Sequence, residues 1–267
     1  MGRAWLKMKF CTLSSGSSGN CVYIEHNGFR ILVDCGRSGK HIQGQMELIG
    51  EDAADVDAIL VTHEHIDHIR GVGVLSRRYD LPVYATRGTW ASIRREGKIG
   101  EFKAHNEREF ISGDEIFLGD IAVKSFAIPH DAAEPVGYRF DLGSKICVVA
   151  TDIGHISSEV EENIFGADIA LLESNHDVQM LEQGEYPPFL KLRILGDRGH
   201  LSNRDAASVA ARMVQSGTRH LILGHLSEQN NCPAIVREEM KRVMEKIGAK
   251  VGEDFTMEIA ERHGVAG

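Results

Sequence analysis

The chain of 267 residues is 42% hydrophobic and 26% charged, an ordinary globular composition that can bury a full core in one large domain or two small ones. Thirty basic against thirty-nine acidic residues leave a net charge of -9, which excludes polyanion binding by a uniformly basic surface. Any nucleic-acid contact must then use a local basic patch or bound cations.

Five scattered cysteines, Cys11, Cys21, Cys35, Cys147 and Cys232, form no close-spaced pair, which argues against a disulfide framework and a zinc ribbon and makes a reducing cytosol the expected setting. No apolar run approaches the roughly 18 residues of a membrane span, and "MGRAWLKMKF" has no signal-peptide core. Met8 opens the first expected strand, and residues 1–7 read as an N-terminal extension. "KFCTL", "CVYIE" and "RILVD", separated by the turn formers "SSGSSGN" and "HNG", predict an antiparallel meander. A helix is expected over "SGKHIQGQMELIG", then the strand "AILVT", a helix over "IRGVGVLSRRYD" and the strand "LPVYAT". The strands "IAVKSFAI", "VGYRFDL" and "KICVVAT" follow, then the helix "HISSEVEENIFG" and the strand "DIALLES". The helix "NRDAASVAARMVQSG", the strand "HLILG" and the helix "PAIVREEMKRVMEKIG" complete the order. With no long linker or repeat, this predicts a single α/β domain across 1–267, two sheets lying between helical layers.

"THEHIDHIRG", Thr62 to Gly71, crowds three histidines and an aspartate into six positions after an apolar strand. His63 and His65 are two apart, so in extended backbone both imidazoles point the same way, towards one metal. Asp67 and His68 are adjacent at a helix start and can turn towards a second. Similar side chains recur at strand ends: Asp34 closes "FRILVD", His130 follows "SFAIP", Asp152 follows "KICVVAT" and His225 follows "HLILG". In layered α/β folds such ends form a shared rim where polar groups converge. His130 would complete the first set, His225 the second, and Asp152 would bridge them.

Imidazole and carboxylate ligands suit Zn, Mn and Fe alike. Two divalent ions about 3.5 to 4 Å apart would share a water as a bridging hydroxide nucleophile and clamp both oxygens of an in-line displacement. That chemistry is hydrolysis at electrophilic carbon or phosphorus, with Asp67 and Asp152 acting as ligands and in catalysis.

The motif His63-x-His65-x-Asp67-His68, followed by His130, Asp152 and His225, resembles the metallo-β-lactamase superfamily. The resemblance implies a four-layer αββα sandwich and a metal site, but leaves the substrate open. "SSGSSGNC", "DCGRSGKHI", "PHDAAEPVGY", "TDIGH", "ESNHDVQML", "YPPFLKLRI", "GHLSN" and "GHLSEQNN" resemble the YycJ (WalJ) family across nearly the whole chain from Met8 onward. That implies a cytoplasmic bacterial metal-dependent nuclease, a double-stranded DNA exonuclease with a role in repair or mutation avoidance. The expectation is a dinuclear phosphodiesterase acting on nucleic acid, DNA first. Hydrolysis of a small ester, thioester or lactam by the same site competes with it. So does a weakly catalytic metal-binding partner in a signalling or repair complex, against which the seven intact ligand positions argue.

Asp34 is expected to accept a hydrogen bond from a metal-binding histidine and fix its tautomer. "SSGSSGN" either lines the site with backbone N–H groups that face phosphate or is a flexible loop. His200 and His176 follow apolar runs and can reach the rim, where an imidazole of near-neutral pKa can donate a proton. His200 is expected as the general acid, with His176, Lys191, Arg193, Ser202 and Asn203 as substrate contacts. Lys191, Arg193 and Arg198 form one local basic cluster and Arg70, Arg77 and Arg78 another, although solvated helix faces explain both nearly as well.

Overall fold

A computed structural model describes residues 8–267; the expected extension at residues 1–7 lies outside them. The N-terminal meander is β1 (Met8–Ser14), β2 (Cys21–His26) and β3 (Phe29–Val33), paired antiparallel as expected. Onto β3 the parallel strands β4 (Ala58–Leu60), β5 (Val83–Thr86) and β6 (Glu107–Phe110) are added, making a six-stranded sheet in chain order. The second sheet has seven strands. In it β7 (Glu115–Leu118), β8 (Ile121–Ala127), β9 (Val136–Asp141) and β10 (Ile146–Ala150) are successively antiparallel. Then β11 (Ile169–Glu173), β12 (His220–Gly224) and β13 (Thr256–Ile259) join in parallel.

The helices are α1 (Gly39–Leu48), α2 (Ile66–Ile69), α3 (Val72–Tyr79), α4 (Arg87–Glu96), α5 (Ser158–Ile164), α6 (Val178–Gln183), α7 (Pro188–Leu195), α8 (Asn203–Gln215) and α9 (Pro233–Lys246). Because successive residues of a strand point to opposite faces, each central strand feeds two cores. Val22, Ile24, Ile31 and Val33 meet Tyr138, Phe140, Val149 and Leu171 between the sheets. Their neighbours Tyr23 and Leu32 pack under Ile42 and Met46 of α1, Leu75 of α3 and Trp90 of α4. On the far side Val148, Leu172, Leu221 and Leu223 pack under Val160 of α5, Ala210 of α8 and Met240 of α9. This is the expected αββα order, and it explains why the central strands read as unbroken apolar runs.

The unexpected strands β6 ("EREF"), β7 ("EIFL") and β13 ("TMEI") all lie at sheet edges. Charge within a short strand keeps an open edge from pairing with another chain, and the same charge hides the strand from hydropathy. The stretch expected as one helix from Ile69 to Asp80 starts in α2 and continues in α3, with Gly71 between them. Gly71 N donates to Cys35 O at 2.7 Å, an approach that a side chain would block.

Register sets the level of the site. Val33 pairs with Leu60 in the first sheet, and in the second Ala150 pairs with Leu172 and Glu173 with Gly224. The residues after these strands therefore emerge along one rim, opposite the tips of the two sheets.

Candidate metal centre

Three strand-end residues turn into the rim through left-handed backbone: Asp34 (φ 59), Asp152 (φ 60) and His225 (φ 57). Asp and His tolerate this region better than branched residues do, at a cost of about 1–2 kcal/mol each. The turns are held from outside, Asp34 N donating to Leu60 O at 2.8 Å and His225 N to Ser15 Oγ at 2.8 Å. His65 is the N-cap of α2, whose single turn carries Asp67 and His68 inward. The loops "SSGSSGN" and "DCGRSG" brace that turn: Asn20 N of the first donates to Asp67 O at 2.8 Å, and in the second Cys35 N donates to His68 O at 2.7 Å and Gly36 lies so close to Asp67 O that a Cβ would overlap it.

All seven expected ligand residues come together. The ring nitrogens offered by His63, His65 and His130 lie within 4.8 Å of one another, and so do the donor atoms of Asp67, His68 and His225. Asp152 faces both groups, its Oδ1 3.7 Å from His130 Nε2 and its Oδ2 3.3 Å from His68 Nε2. The outer nitrogens are tied so that the inner ones point at the centre. His130 Nδ1 donates to Gly199 O at 3.1 Å. Thr62 Oγ1 donates to Asp34 Oδ2 at 2.8 Å and accepts from His63 Nδ1 at 3.0 Å. Asp34 Oδ2 also accepts from His68 Nδ1 at 2.7 Å, which is the tautomer-fixing contact expected of it.

A residue that the sequence reading missed does the same on the other side. Glu173, fully buried at the end of β11, accepts from His225 Nδ1 and His200 Nδ1, both at 2.8 Å, through Oε1. Its Oε2 accepts from Ile153 N at 2.7 Å and Leu201 N at 3.1 Å. It closes an apolar strand just as Asp34 does, so the strand-end pattern applied to "DIALLES" identifies it. Asn20 was missed as well: its Nδ2 lies 3.0 Å from His68 Nε2, and no spacing in "SSGSSGN" signals this.

The electrostatics follow from this crowding. Burial works to lower the pKa of His68, but Asp152, Asp34 and Asp67 outweigh it and raise it to about 9. His225 is raised well above its usual value against burial, by Asp152, Asp67 and Glu173. Burial and then the surrounding imidazoles push His63 well down. Burial works to raise Asp67 and Asp152, yet neighbouring histidines hold both carboxyls below the usual range.

Divalent cations fit this donor set. Buried Asp152 Oδ2 and His225 Nε2 have no hydrogen-bond partner among the described residues, an arrangement that is costly unless something compensates them. The groups are imidazole and carboxylate, with no thiolate among them, and second ring nitrogens tied to acceptors are the usual support of metal-binding histidines.

The cleft above the cluster has a volume of about 430 Å³. Asp67, Asp152, His200 and His225 reach it, with Ser17, Ser227, Asn175 and Arg193 on its walls. Arg193 is paired with Asp131. Lys191 does not line the cleft and donates to Glu182 O at 2.7 Å.

Three expected substrate contacts are turned away from it. Ser202 is the N-cap of α8, its Oγ accepting from Asp205 N at 3.2 Å and donating to Asp205 Oδ2 at 2.6 Å. Asn203 is buried, Oδ1 accepting from Ser174 Oγ at 2.8 Å and from Asn231 Nδ2 at 2.9 Å. His176 is buried without a hydrogen-bond partner for either ring nitrogen, and burial lowers its pKa to about 4. The physical reason lies in the sequence: Ser202-x-x-Asp205 before an apolar helix is a capping pattern, so "GHLSN" presents His200 to the cleft and spends its other polar groups on the helix start.

Comparison with known proteins agrees with this architecture. The sequence profile of the β-lactamase superfamily domain matches residues 29–226. Exodeoxyribonuclease YycJ of Bacillus anthracis is 43% identical over 248 residues, 93% of each chain. Exodeoxyribonuclease WalJ of Streptococcus pneumoniae is 41% identical over 247 residues, 92% of each chain. Among solved structures, the metallo-β-lactamase fold protein YhfI of Bacillus subtilis superposes with a TM-score of 0.70 at 19% identity, covering 97% of this chain and 98% of that one. Human tRNase Z, short form, gives 0.66 at 17% identity, covering 97% and 99%. Motif, fold and similarity over almost the full length agree: the chain belongs to the metallo-β-lactamase superfamily and, within it, to the family of the YycJ and WalJ proteins.

Proposed function

We propose that this chain is a metal-dependent phosphodiesterase that removes nucleotides from the ends of double-stranded DNA. One observation carries the reading: seven ligand-type side chains and an imidazole held by a buried carboxylate, His200 on Glu173, meet at one open cleft. The names of the two curated relatives, both exodeoxyribonucleases similar over more than nine-tenths of the chain, support the choice of DNA.

In this reading His63, His65 and His130 hold one divalent cation, Asp67, His68 and His225 the other, and Asp152 faces both. Zn, Mn and Fe all suit the set. When bound, the cations supply an activated water and neutralise charge at the reacting phosphorus. Asp34 and Glu173 fix the tautomers of the histidines they hold. As an imidazolium whose Nδ1–H is donated to Glu173, His200 would pass its Nε2 proton to the departing sugar oxygen and be left as the neutral Nδ1–H tautomer, a step worth typically 10²- to 10⁴-fold. A cleft of about 430 Å³ is on the scale of sites that admit one small molecule, about 300–1,000 Å³. That favours a strand end over an intact duplex. The same reading treats residues 8–267 as one domain, since ligands come from both sheets.

A cytoplasmic setting is part of the same reading, and the five unpaired cysteines suit a reducing compartment. Among the described residues no helix is long and apolar enough to cross a membrane.

The test offers metal-loaded protein 5'- and 3'-labelled duplex, single-stranded DNA, RNA, a lactam and a thioester. Mononucleotide release from duplex ends, abolished by chelation, is the expected result. Turnover of the lactam or thioester with no phosphodiester cut would overturn the reading.

A further inference from the structure

We propose that Arg37 and Arg262 form a clamp for the sugar-phosphate backbone of the substrate strand, next to the phosphodiester that is cut. The proposal rests on the phosphodiesterase reading above. The cleft is lined by Tyr186, Leu190 and Ile194 as well as by Ser17 and Ser227. Two guanidinium groups are bound to the loops that carry these serines; neither lines the cleft itself, and Arg262 lines a second cavity with Ser15 and Leu226. Arg37 Nη1 donates to Ser18 O at 3.0 Å, and Arg262 Nη2 to Ser227 O at 3.3 Å. Each is thus anchored by one carbonyl of a loop that borders the cleft, and a guanidinium has five N–H donors to place.

Their remaining contacts are weak and open to exchange. Arg37 Nη2 meets only the exposed His263, at 3.2 Å. Arg262 Nη1 lies 3.1 Å from Glu228, whose side chain is 67% exposed. Such a surface ion pair contributes about 0–1 kcal/mol, whereas a phosphate can take a guanidinium in two parallel hydrogen bonds.

The backbone beneath is shaped for these stems. Gly19 has φ +145, and a Cβ there would stand 2.5 Å from both Arg37 Cδ and Gly36 O; at Gly16, φ +119, the tight neighbour is Leu226 O at 3.0 Å and Arg262 Cγ lies at an ordinary contact distance of 3.7 Å. Both residues are glycines in the turn-rich loop "SSGSSGN". The two arginines come from opposite ends of the chain, so no shared solvated helix face accounts for both. A chain of net charge -9 needs local cations to hold a polyanion.

The alternative is that both arginines merely staple loops. A staple needs a donor, and a clamp needs positive charge. Arg37→Gln, Arg262→Gln, the double variant and the matching Lys variants separate them. With metal-loaded protein, kcat/KM is measured across a salt series for a labelled oligonucleotide and for bis-p-nitrophenyl phosphate, which has no flanking phosphate. The double Gln variant should lose about tenfold more on the oligonucleotide than on the small diester. Its log–log salt slope should flatten by about 1.4 to 1.8, from 0.7 to 0.9 for each phosphate contact, with Lys restoring the slope. An unchanged slope, or an equal loss on both substrates that Lys does not repair, would overturn the clamp. Wild-type protein that cuts neither diester would remove the phosphodiesterase reading itself, and the clamp with it.

Discussion

Glu173→Gln tests the centre through a residue that does not line the cleft but holds two of its histidines. Four donors point at the Glu173 carboxylate: two imidazole Nδ1 atoms at Oε1 and two backbone N–H groups at Oε2. An amide of the same shape offers one oxygen and one NH2. If the oxygen keeps the backbone pair, the NH2 faces His200 and His225 and forces their protons to Nε2, where His225 then cannot bind a cation. If it keeps the imidazoles, Ile153 N and Leu201 N face an NH2 in a buried site. Each buried donor left unmatched costs about 1–3 kcal/mol. Lost support of a metal-binding histidine typically weakens the metal about 10- to 100-fold, and DNA cleavage should fall further because His200 is released too. Calorimetric titration with Zn or Mn, cleavage of labelled duplex and a thermal melt read these effects. Glu173→Gln protein with wild-type metal affinity and wild-type cleavage would refute the tautomer argument.

Asp152→Asn should abolish hydrolysis and lose metal, because a neutral amide leaves two cations uncompensated; full activity with two metals retained, measured by plasma emission, would dismiss Asp152 as the bridge. Gly36→Ala places a Cβ onto Asp67 O, and overpacking of this kind typically costs about 1–3 kcal/mol. A lowered Tm together with weakened metal binding is expected, and an unchanged Tm would contradict the brace. His200→Ala should depress DNA cleavage about 10²- to 10⁴-fold and hydrolysis of bis-p-nitrophenyl phosphate much less, since nitrophenolate leaves without a proton; equal losses with metals intact would point to binding or packing. Chelation should lower Tm, because a ligand held at about 1,000 times its Kd adds about 4 kcal/mol to the folded state. Identical melts with and without metal, under conditions where binding is measured, would go against a site formed only on folding.

Much of the metal centre was legible because its chemistry is carried by residue type and position. A histidine or aspartate after an apolar strand is conspicuous, and parallel register brings such strand ends to one level. The central strands were legible for a related reason: Tyr23 and Leu32 serve one core while Ile24 and Ile31 serve another, so both faces are apolar. The edge strands β6, β7 and β13 were not, since an edge must carry charge and then reads as a loop. Helices α6 and α7, interrupted by "GEYPP", lack the length at which helical periodicity emerges from noise. Ser202 and Asn203 were misjudged for a different reason. Polar residues beside a functional histidine look like substrate contacts, but the capping pattern with Asp205 had already assigned them to the helix.

Asp34, expected from the sequence, and Glu173, which was missed, together suggest how the site is divided. Each is a carboxylate at the end of a parallel strand, one in each sheet, and each serves histidines of its own sheet: Asp34 holds His68 directly and His63 through Thr62, Glu173 holds His225 and His200. In the assignment proposed above, the histidines under Asp34 serve different cations, whereas Glu173 holds a ligand of one cation and the proposed acid, although Asp152, Glu173, His200 and His225 also lie close enough to share one ion. Loss of the first acceptor should therefore loosen both cations together, and loss of the second should uncouple one cation from proton delivery. Only Asp152 faces His63 and His68 from the first sheet and His225 from the second. Each sheet thus supplies one carboxylate that holds histidines from behind, while each proposed cation would draw ligands from both sheets, His130 joining His63 and His65, and His225 joining Asp67 and His68.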